Sequence, residues 1–373
     1  MAHTPSSAFR VLIAGGGVAA IELAAAVHEA AADRVHLTLL SPEENFVYRP
    51  GAAAARPAPA SREPVALMRI ADALGADLIS DHLQWVDREA GAAHTRTGRR
   101  VTFDALAVCI GAEARPAYPC AISLTGRPSE PLTHLVARIA DGACRRLAFL
   151  IPERQGWPLP LYELAMAVAT MAHRGPDLEL TFVTSEAEPL GVFGEPAAET
   201  MRALLTDRGI ELITGARCRV PAADRVIVTG DRELEVDAVI ALPELYGPHL
   251  RGLPCAANGF IPVDRFCRVR GVRGVYAAGD ATDFPVKHGG IAAQQADVAA
   301  LAIAARAGAD VLPRPFHARL EGILATGGKP AYLSAWLAGG RPFGSEVSED
   351  PRATSHPKVI AAHLEPWLAR AGG

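Results

Sequence analysis

The sequence is short of the features that mark nucleic-acid, membrane and disulfide-stapled proteins. Its 373 residues carry 37 lysines and arginines against 41 aspartates and glutamates, a formal charge of −4. The basic residues are scattered, with no stripe interleaved with aromatics, so a nucleic-acid surface is not expected. No apolar run approaches the roughly 20 residues that span a bilayer. Met1 to Ala8 is short and polar and leads straight into an apolar segment, unlike a signal peptide. Of the six cysteines (Cys109, Cys120, Cys144, Cys218, Cys255 and Cys267), no two form a C-x-x-C pair and none is grouped with histidines at zinc-ligand spacing. No metal site is expected. Free, reduced thiols fit a cytoplasmic protein.

What is present is a pattern of alternating strands and helices. Half of the residues are hydrophobic, and at this length two or three domains are expected. Arg10–Ala14 is a short apolar run of the kind buried in a parallel strand. A glycine turn follows, then an alanine-rich helix over Ile21–Ala32 and a second strand over Val35–Leu40. Strand, turn, helix and strand within about thirty residues make a dinucleotide-binding unit. Val65–Leu74 reads as a helix and Asp104–Ile110 as a buried strand ending at Gly111. A second unit of similar architecture starts at Arg146, with strands over Leu147–Ile151, Leu178–Val183 and Ile210–Ile213 and helices over Leu161–His173 and Glu195–Arg208. Gly274–Asp280 is a strand ending in Gly-Asp, and Gly290–Ala305 is a long helix. Beyond Ala307 the pattern is less regular. Helix-like stretches around Phe316–Ala325 and Pro357–Ala369 are joined by a Gly/Pro/Ser-rich piece over Gly339–Ser355.

Gly15-Gly16-Gly17-Val18-Ala19-Ala20 fits G-x-G-x-x-G/A. Gly15 permits the tight turn, Gly17 leaves room for a pyrophosphate against the backbone, and Ala20 lets helix and strand pack closely. Val18 and Ala19 open the helix, whose unpaired N–H groups and positive dipole end suit phosphates. An acidic residue usually ends the second strand and binds a ribose. Here the strand runs into Ser41-Pro42-Glu43-Glu44, so either Ser41 or a glutamate such as Glu43 takes that contact, or the glutamates are simply solvated. The distant Gly279-Asp280 says more. A carboxylate at a strand end can accept hydrogen bonds from a ribityl chain, and a helix opening near Gly290 and Ile291 would turn its positive end on a reduced flavin. Lys287 could reinforce that field, or be plain surface charge.

Together, Val11–Gly17, Ala107–Gly111 and Gly274–Asp280 resemble the two-dinucleotide-domain FAD oxidoreductases of the glutathione reductase superfamily. Phe284–Gln295 and Leu159–Ala165 look most like its sulfide:quinone oxidoreductase and type II NADH dehydrogenase branch. The resemblance implies an α/β protein with an FAD domain over residues 1–115 and 250–306. A second Rossmann-like domain, 116–249, would be inserted into it, and 307–373 would form a C-terminal cap. It also implies that Asp280 holds the ribityl chain, that the Lys287–Ile291 region faces the flavin's pyrimidine edge, and that the loop after the second strand runs along the flavin, so that Arg49 contacts the cofactor's phosphates or ring or is an ordinary surface arginine.

Two departures shape the expected chemistry. Members that use NAD(P)H usually carry a second glycine motif at the start of the inserted domain, where this chain has Glu153-Arg-Gln-Gly-Trp-Pro-Leu-Pro160. Proline has no N–H to give a phosphate, and Trp157 would fill the space a pyrophosphate needs. NAD(P) in the usual mode is therefore not expected. No cysteine lies in that loop or beyond Cys267, so a flavin–disulfide relay is not expected either. Glu163 is the candidate acid–base group, through a carboxyl raised by desolvation, with Tyr162 beside it as a hydrogen-bond donor or stacking platform. A glutamate placed there only by the helix dipole is the plainer alternative.

The expected function is FAD-dependent transfer of hydride or electrons from an organic donor to a quinone or a small electron-carrier protein. An NAD(P)H-dependent reductase with an atypical loop and a non-catalytic flavoprotein subunit are the alternatives. Near the C-terminus, Val359, Ile360, Leu364, Trp367 and Leu368 could share a helix face, read as packing on the protein's own core or on a homodimer mate rather than on a membrane.

Overall fold

The computed structural model describes residues 8–47, 64–125, 129–154, 156–172, 178–350 and 361–364. Phe9–Ala14 (β1) forms because four consecutive residues, Val11 to Ala14, can all be buried. It lies parallel between Val35–Leu40 (β2) and Ala105–Val108 (β3). Asp77–Ile79 flanks β2. The chain leaves this sheet after Val108 and returns only with Val275–Ala277, which pairs parallel to β3. Helices Val18–Ala31 (α1) and Gly289–Arg306 (α6) pack against each other along their length. Ala19, Ala20, Ala24, Ala292, Ala293, Ala296, Ala299 and Ala300 are all buried there, so alanine is used where two helices and a sheet must approach closely.

The excursion builds a second five-stranded parallel sheet. Its order is Ile122–Ser123, Ala238–Ala241, Arg146–Ile151 (β4), Glu179–Thr184 (β5) and Ile210–Ile213. Helix Leu159–Ala172, here α4 after Leu67–Ala73 (α2) and Glu130–Ala140 (α3), follows β4. Glu195–Asp207 is α5. The chain passes between the two sheets through an antiparallel ribbon, Glu113–Arg115 against Glu244–Tyr246. The Tyr246 ring there lies under the guanidinium groups of Arg115 and Arg154, at 4.6 and 5.3 Å.

The last segment corrects the sequence reading. Phe316–Ala325 is not helical: Ala318–Leu324, Ala331–Ala338 and Arg341–Ser348 form an antiparallel sheet. The period is two rather than 3.6, since Ala331, Leu333, Ala335 and Leu337 are buried while Trp336 and Ala338 are exposed. Gly322 is a strand glycine set against Phe193, whose ring would lie 2.8 Å from an added Cβ. In 361–364, Ala361 and Leu364 are buried in the α1–α6 core. The rest of the expected Pro357–Ala369 helix lies outside the described residues, as does Arg49. Among the described residues, no helix is long and apolar enough to cross a membrane.

Candidate functional site

A cavity of about 480 Å³ opens at the C-terminal ends of β1, β2 and β3, lined by Gly15–Gly17, Ser41, Glu43, His82 and Gly111 among others. The three glycines have three different reasons to be glycine. Gly15 has φ +133, and a Cβ there would sit 2.2 Å from the Cys109 carbonyl oxygen. At Gly16 a Cβ would meet Ser41 Oγ at 2.5 Å and Leu67 at 2.8 Å. Around Gly17 a Cβ meets no protein atom within 4 Å, so its missing side chain leaves empty space towards the cavity. Val18 and Ala19 follow, and their N–H groups belong to the first turn, which has no intrahelical acceptors. The Ala19 methyl packs on Gly279, where an added Cβ would lie 3.1 Å away.

Ser41 is buried, and its Oγ accepts the Glu43 N–H at 3.2 Å. Ser41 organises the turn, and both it and exposed Glu43 line the cavity, so the choice between Ser41 and a glutamate stays open. Gly111 takes φ +73 at the end of β3. Gly16, His82 and the Cys109 backbone are residues the sequence reading did not single out. Gly16 carries no local signal, because Ser41 and Leu67, which press on it, lie far along the chain.

A second cavity, about 240 Å³, is lined by Thr125, Gly156, Trp157, Leu245, Asp280 and Lys287 among others. Gly279, at φ +77, donates its N–H to Gln295 Oε1 at 2.8 Å, which fixes the strand end carrying Asp280. Burial raises the Asp280 carboxyl above its ordinary value, and the positive charge of Lys287 partly offsets that. Lys287 is only 7% exposed. Its ammonium donates to the Thr282 carbonyl and sits 3.8 Å from the centre of the Phe260 ring. Burial pushes its pKa down to about 8, against the pull of Asp280 and Asp283. Lys287 is therefore a buried, titratable cation rather than surface charge.

The opening of α6 differs from expectation in one respect. His288 is its N-cap, and its Nδ1 accepts the Gly290 N–H at 3.2 Å, so that donor is not free for a ligand. Gly290 and Ile291 are both buried, Ile291 within the core of the inserted domain.

Tyr162 and Glu163 point away from both cavities. Tyr162 is fully buried, stacks on Phe182 with centroids 4.3 Å apart, and donates to Glu186 Oε2 at 2.7 Å. Glu163 is buried, and its Oε1 accepts the Ala325 N–H at 2.9 Å, tying α4 to the C-terminal sheet. Neither is among the residues lining the two cavities. We predict that Tyr162→Phe costs about 1–2 kcal/mol by leaving Glu186 short of a donor, read as a lower Tm, with flavin-dependent turnover unchanged. A fall in turnover without a fall in Tm is the opposite outcome.

Glu186 follows the end of β5 by two residues, near where a dinucleotide domain places the acid that binds a ribose. Here it turns inward, held by Tyr162 and by Thr184 Oγ1 at 3.0 Å, and burial raises its pKa to about 7. The loop before α4 is also engaged. Arg154 O accepts the Leu245 N–H at 2.8 Å, and Gly156 O accepts the Lys287 N–H at 3.2 Å. Trp157 packs against both His288 and Phe193, at 4.5 and 5.6 Å. The loop's one glycine serves packing, since a Cβ on Gly156 would lie 2.2 Å from Leu245 and 3.0 Å from Lys287. A larger cavity, about 940 Å³ and lined by Arg10, Arg34, Arg88, Arg273 and Arg306 among others, lies at the opposite end of β1.

Residues 162–307 match the family of pyridine nucleotide-disulphide oxidoreductases, a span of less than half the chain. No curated protein matches the sequence. Among solved structures, sulfide:quinone oxidoreductase from Aquifex aeolicus superposes with a TM-score of 0.80 at 18% identity, covering 98% of this chain and 92% of that one. A ferredoxin reductase from Rhodopseudomonas palustris gives 0.67 at 19%, covering 98% and 100%. An NAD-dependent persulfide reductase from A. fulgidus gives 0.64 at 17%, covering 88% and 64%. This is the fold of an FAD-dependent oxidoreductase. FAD is the cofactor that such a fold holds, and the residues fit it. The empty space at Gly17 stands at a helix N-terminus, Glu43 lines the first cavity, and half-buried Asp280 and buried Lys287 line the second.

Proposed function

We propose that the chain moves hydride or electrons through FAD from an organic donor to a quinone-like or small-carrier acceptor, with neither a nicotinamide site of the usual kind nor a thiol relay. Gly15, Gly17, Val18, Ala19, Ser41, Glu43 and Gly111 would hold the ADP half of the cofactor, and Gly279, Asp280 and the start of α6 the flavin half. Bound FAD supplies two-electron chemistry. Lys287 holds positive charge beside the second cavity, and Asp280, whose carboxyl is raised, accepts from or donates to a hydroxyl. The domain limits that go with this reading are 1–115 with 250–306, 116–249, and 307–373.

The loop before α4 carries the proposal. Its Arg154 and Gly156 carbonyls are hydrogen-bonded to the linker strand and to Lys287, and Glu186 is turned inward. Pro158 and Pro160 in that loop have no N–H to give a pyrophosphate, and Glu186 is taken up by Tyr162, which disfavours the usual dinucleotide contacts. The thiol nearest the cofactor cradle, Cys109, is held up at about 12 by burial, which opposes the thiolate a relay needs. The acceptor class rests on the neighbours, one named a quinone oxidoreductase and another a ferredoxin reductase. The test is anaerobic mixing of the holoprotein with NADH, NADPH and a panel of organic donors, followed by quinone or ferredoxin-type acceptors. Slow or absent bleaching by both nicotinamides, with fast bleaching by another donor, is the expected result. Rapid bleaching by NADH or NADPH overturns it.

A further inference from the structure

Three segments meet at a cluster that the cofactor reading does not use. Glu22 on α1 is fully buried. Its two carboxylate oxygens accept the backbone N–H groups of His363 and Leu364, at 2.9 and 2.6 Å. Asp297 on α6 brings a carboxylate oxygen within 4.8 Å of Glu22, and its Oδ1 is buried with no hydrogen-bond partner. That oxygen lies 3.8 Å from His363 Nε2, and His363 Nδ1 lies 2.9 Å from Glu29, two turns along α1 from Glu22.

Two carboxyl groups that share a site cannot both ionise cheaply, so one keeps its proton. Glu22 is the group that accepts two backbone N–H donors. Asp297 Oδ1 makes no hydrogen bond, and the nearest nitrogen, His363 Nε2, stands 3.8 Å from it. Burial beside Glu22 raises the Asp297 carboxyl to about 8. The charged or titratable groups facing it are Glu22 and, further off, Glu29 from α1, with His363 from the C-terminal segment. Among the described residues, no lysine or arginine forms an ion pair with any of these four.

We propose that the proton shared between Asp297 and Glu22 is a latch that docks the 361–364 segment across α1 and α6, and that its loss releases the segment. Glu22 lies about one turn from the start of α1 and Asp297 about two turns from the start of α6. The docked segment therefore braces α6 against α1, the helix that opens at the first cavity. The folded form binds a proton at Asp297 that the unfolded form gives up near pH 4. To the extent that undocking lets water reach Asp297, docking is favoured while that proton is held and weakens as pH rises through about 8.

The test is amide hydrogen exchange of the full-length holoprotein between pH 6 and 9, corrected for intrinsic chemical rates and read on the peptide containing His363 and Leu364. Local readout separates Asp297 from Glu186, which titrates elsewhere. In the wild type, protection of that peptide should fall by up to about tenfold per pH unit. Asp297→Asn keeps a neutral hydrogen-bonding group and should hold protection flat across the range. Glu22→Gln should lower protection at every pH, with flavin content as a check on folding. Protection that is flat in the wild type overturns the latch, as does an undiminished pH dependence in Asp297→Asn. Loss of protection on adding EDTA at pH 7 overturns it in favour of a metal bridge.

Discussion

Gly17→Val is expected to leave the fold standing and to empty the flavin site. At position 17 the backbone is extended (φ −93, ψ −170), which valine adopts readily. An added Cβ touches no protein atom within 4 Å, so the unliganded protein has no clash to relieve, and an N-cap change from glycine costs it at most about 1 kcal/mol. The branched side chain instead occupies the space that a pyrophosphate needs against the first turn of α1. Retained flavin absorbance should fall to background on purification, and the FAD Kd should rise at least about 100-fold, which is ~2.8 kcal/mol. Gly15→Ala and Gly16→Ala should behave differently. There the added atom strikes the Cys109 carbonyl or Ser41 and Leu67, so the damage reaches the apo fold and Tm falls along with flavin content. If Gly17→Val keeps its flavin, the cofactor's phosphates are not where the turn puts them.

This contrast shows what the sequence could and could not reveal. The motif at Gly15–Ala20 was legible because strand, turn and helix chemistry is local. For the same reason the strands at Arg10–Ala14, Leu147–Ile151 and Gly274–Asp280 were placed to within a few residues. Only contacts between distant segments distinguish Gly16 from Gly17: Ser41 and Leu67 press on one and not on the other. Glu163 and Tyr162 illustrate the same limit. Their position at a helix start suggested a site, but Ala325 and Glu186, which hold them, come from other elements. The Ala318–Leu324 strand was misread because a short apolar run has no decisive period of its own. Its partner strand Ala331–Ala338 supplies it, and that strand is held on its other side by Arg341–Ser348. The Glu22–Asp297 pair had no sequence signature at all, since two acids far apart in the chain look solvated until the helices carrying them are packed.

Lys287→Met should lower the midpoint potential of the bound flavin by roughly 30–60 mV, or ~1.4–2.8 kcal/mol for a two-electron couple. Lys287 is a buried cation at the second cavity, held by the Thr282 carbonyl and the Phe260 ring. A fixed positive charge there favours the electron-rich reduced cofactor over the oxidised one. Lys287→Arg retains charge and should keep most of the potential. With the wild-type group at about 8, the ammonium is mostly present at pH 7 and is lost through pH 8, so the wild-type advantage over Lys287→Met should shrink as pH rises through that value. Stability should move the other way. Because the folded pKa lies below the ordinary 10.5, the folded state binds fewer protons than the unfolded state between about 8 and 10.5. The cost of burying the cation is therefore complete below about pH 8 and fades towards 10.5. Methionine fills similar space without that cost, so the apo variant should be more stable at pH 7 by on the order of 2 kcal/mol. Spectroelectrochemistry and thermal unfolding of the same two variants decide the matter: an unchanged potential in Lys287→Met would mean that the charge does not act on the flavin, and an unchanged Tm would mean that burying the cation costs the fold little.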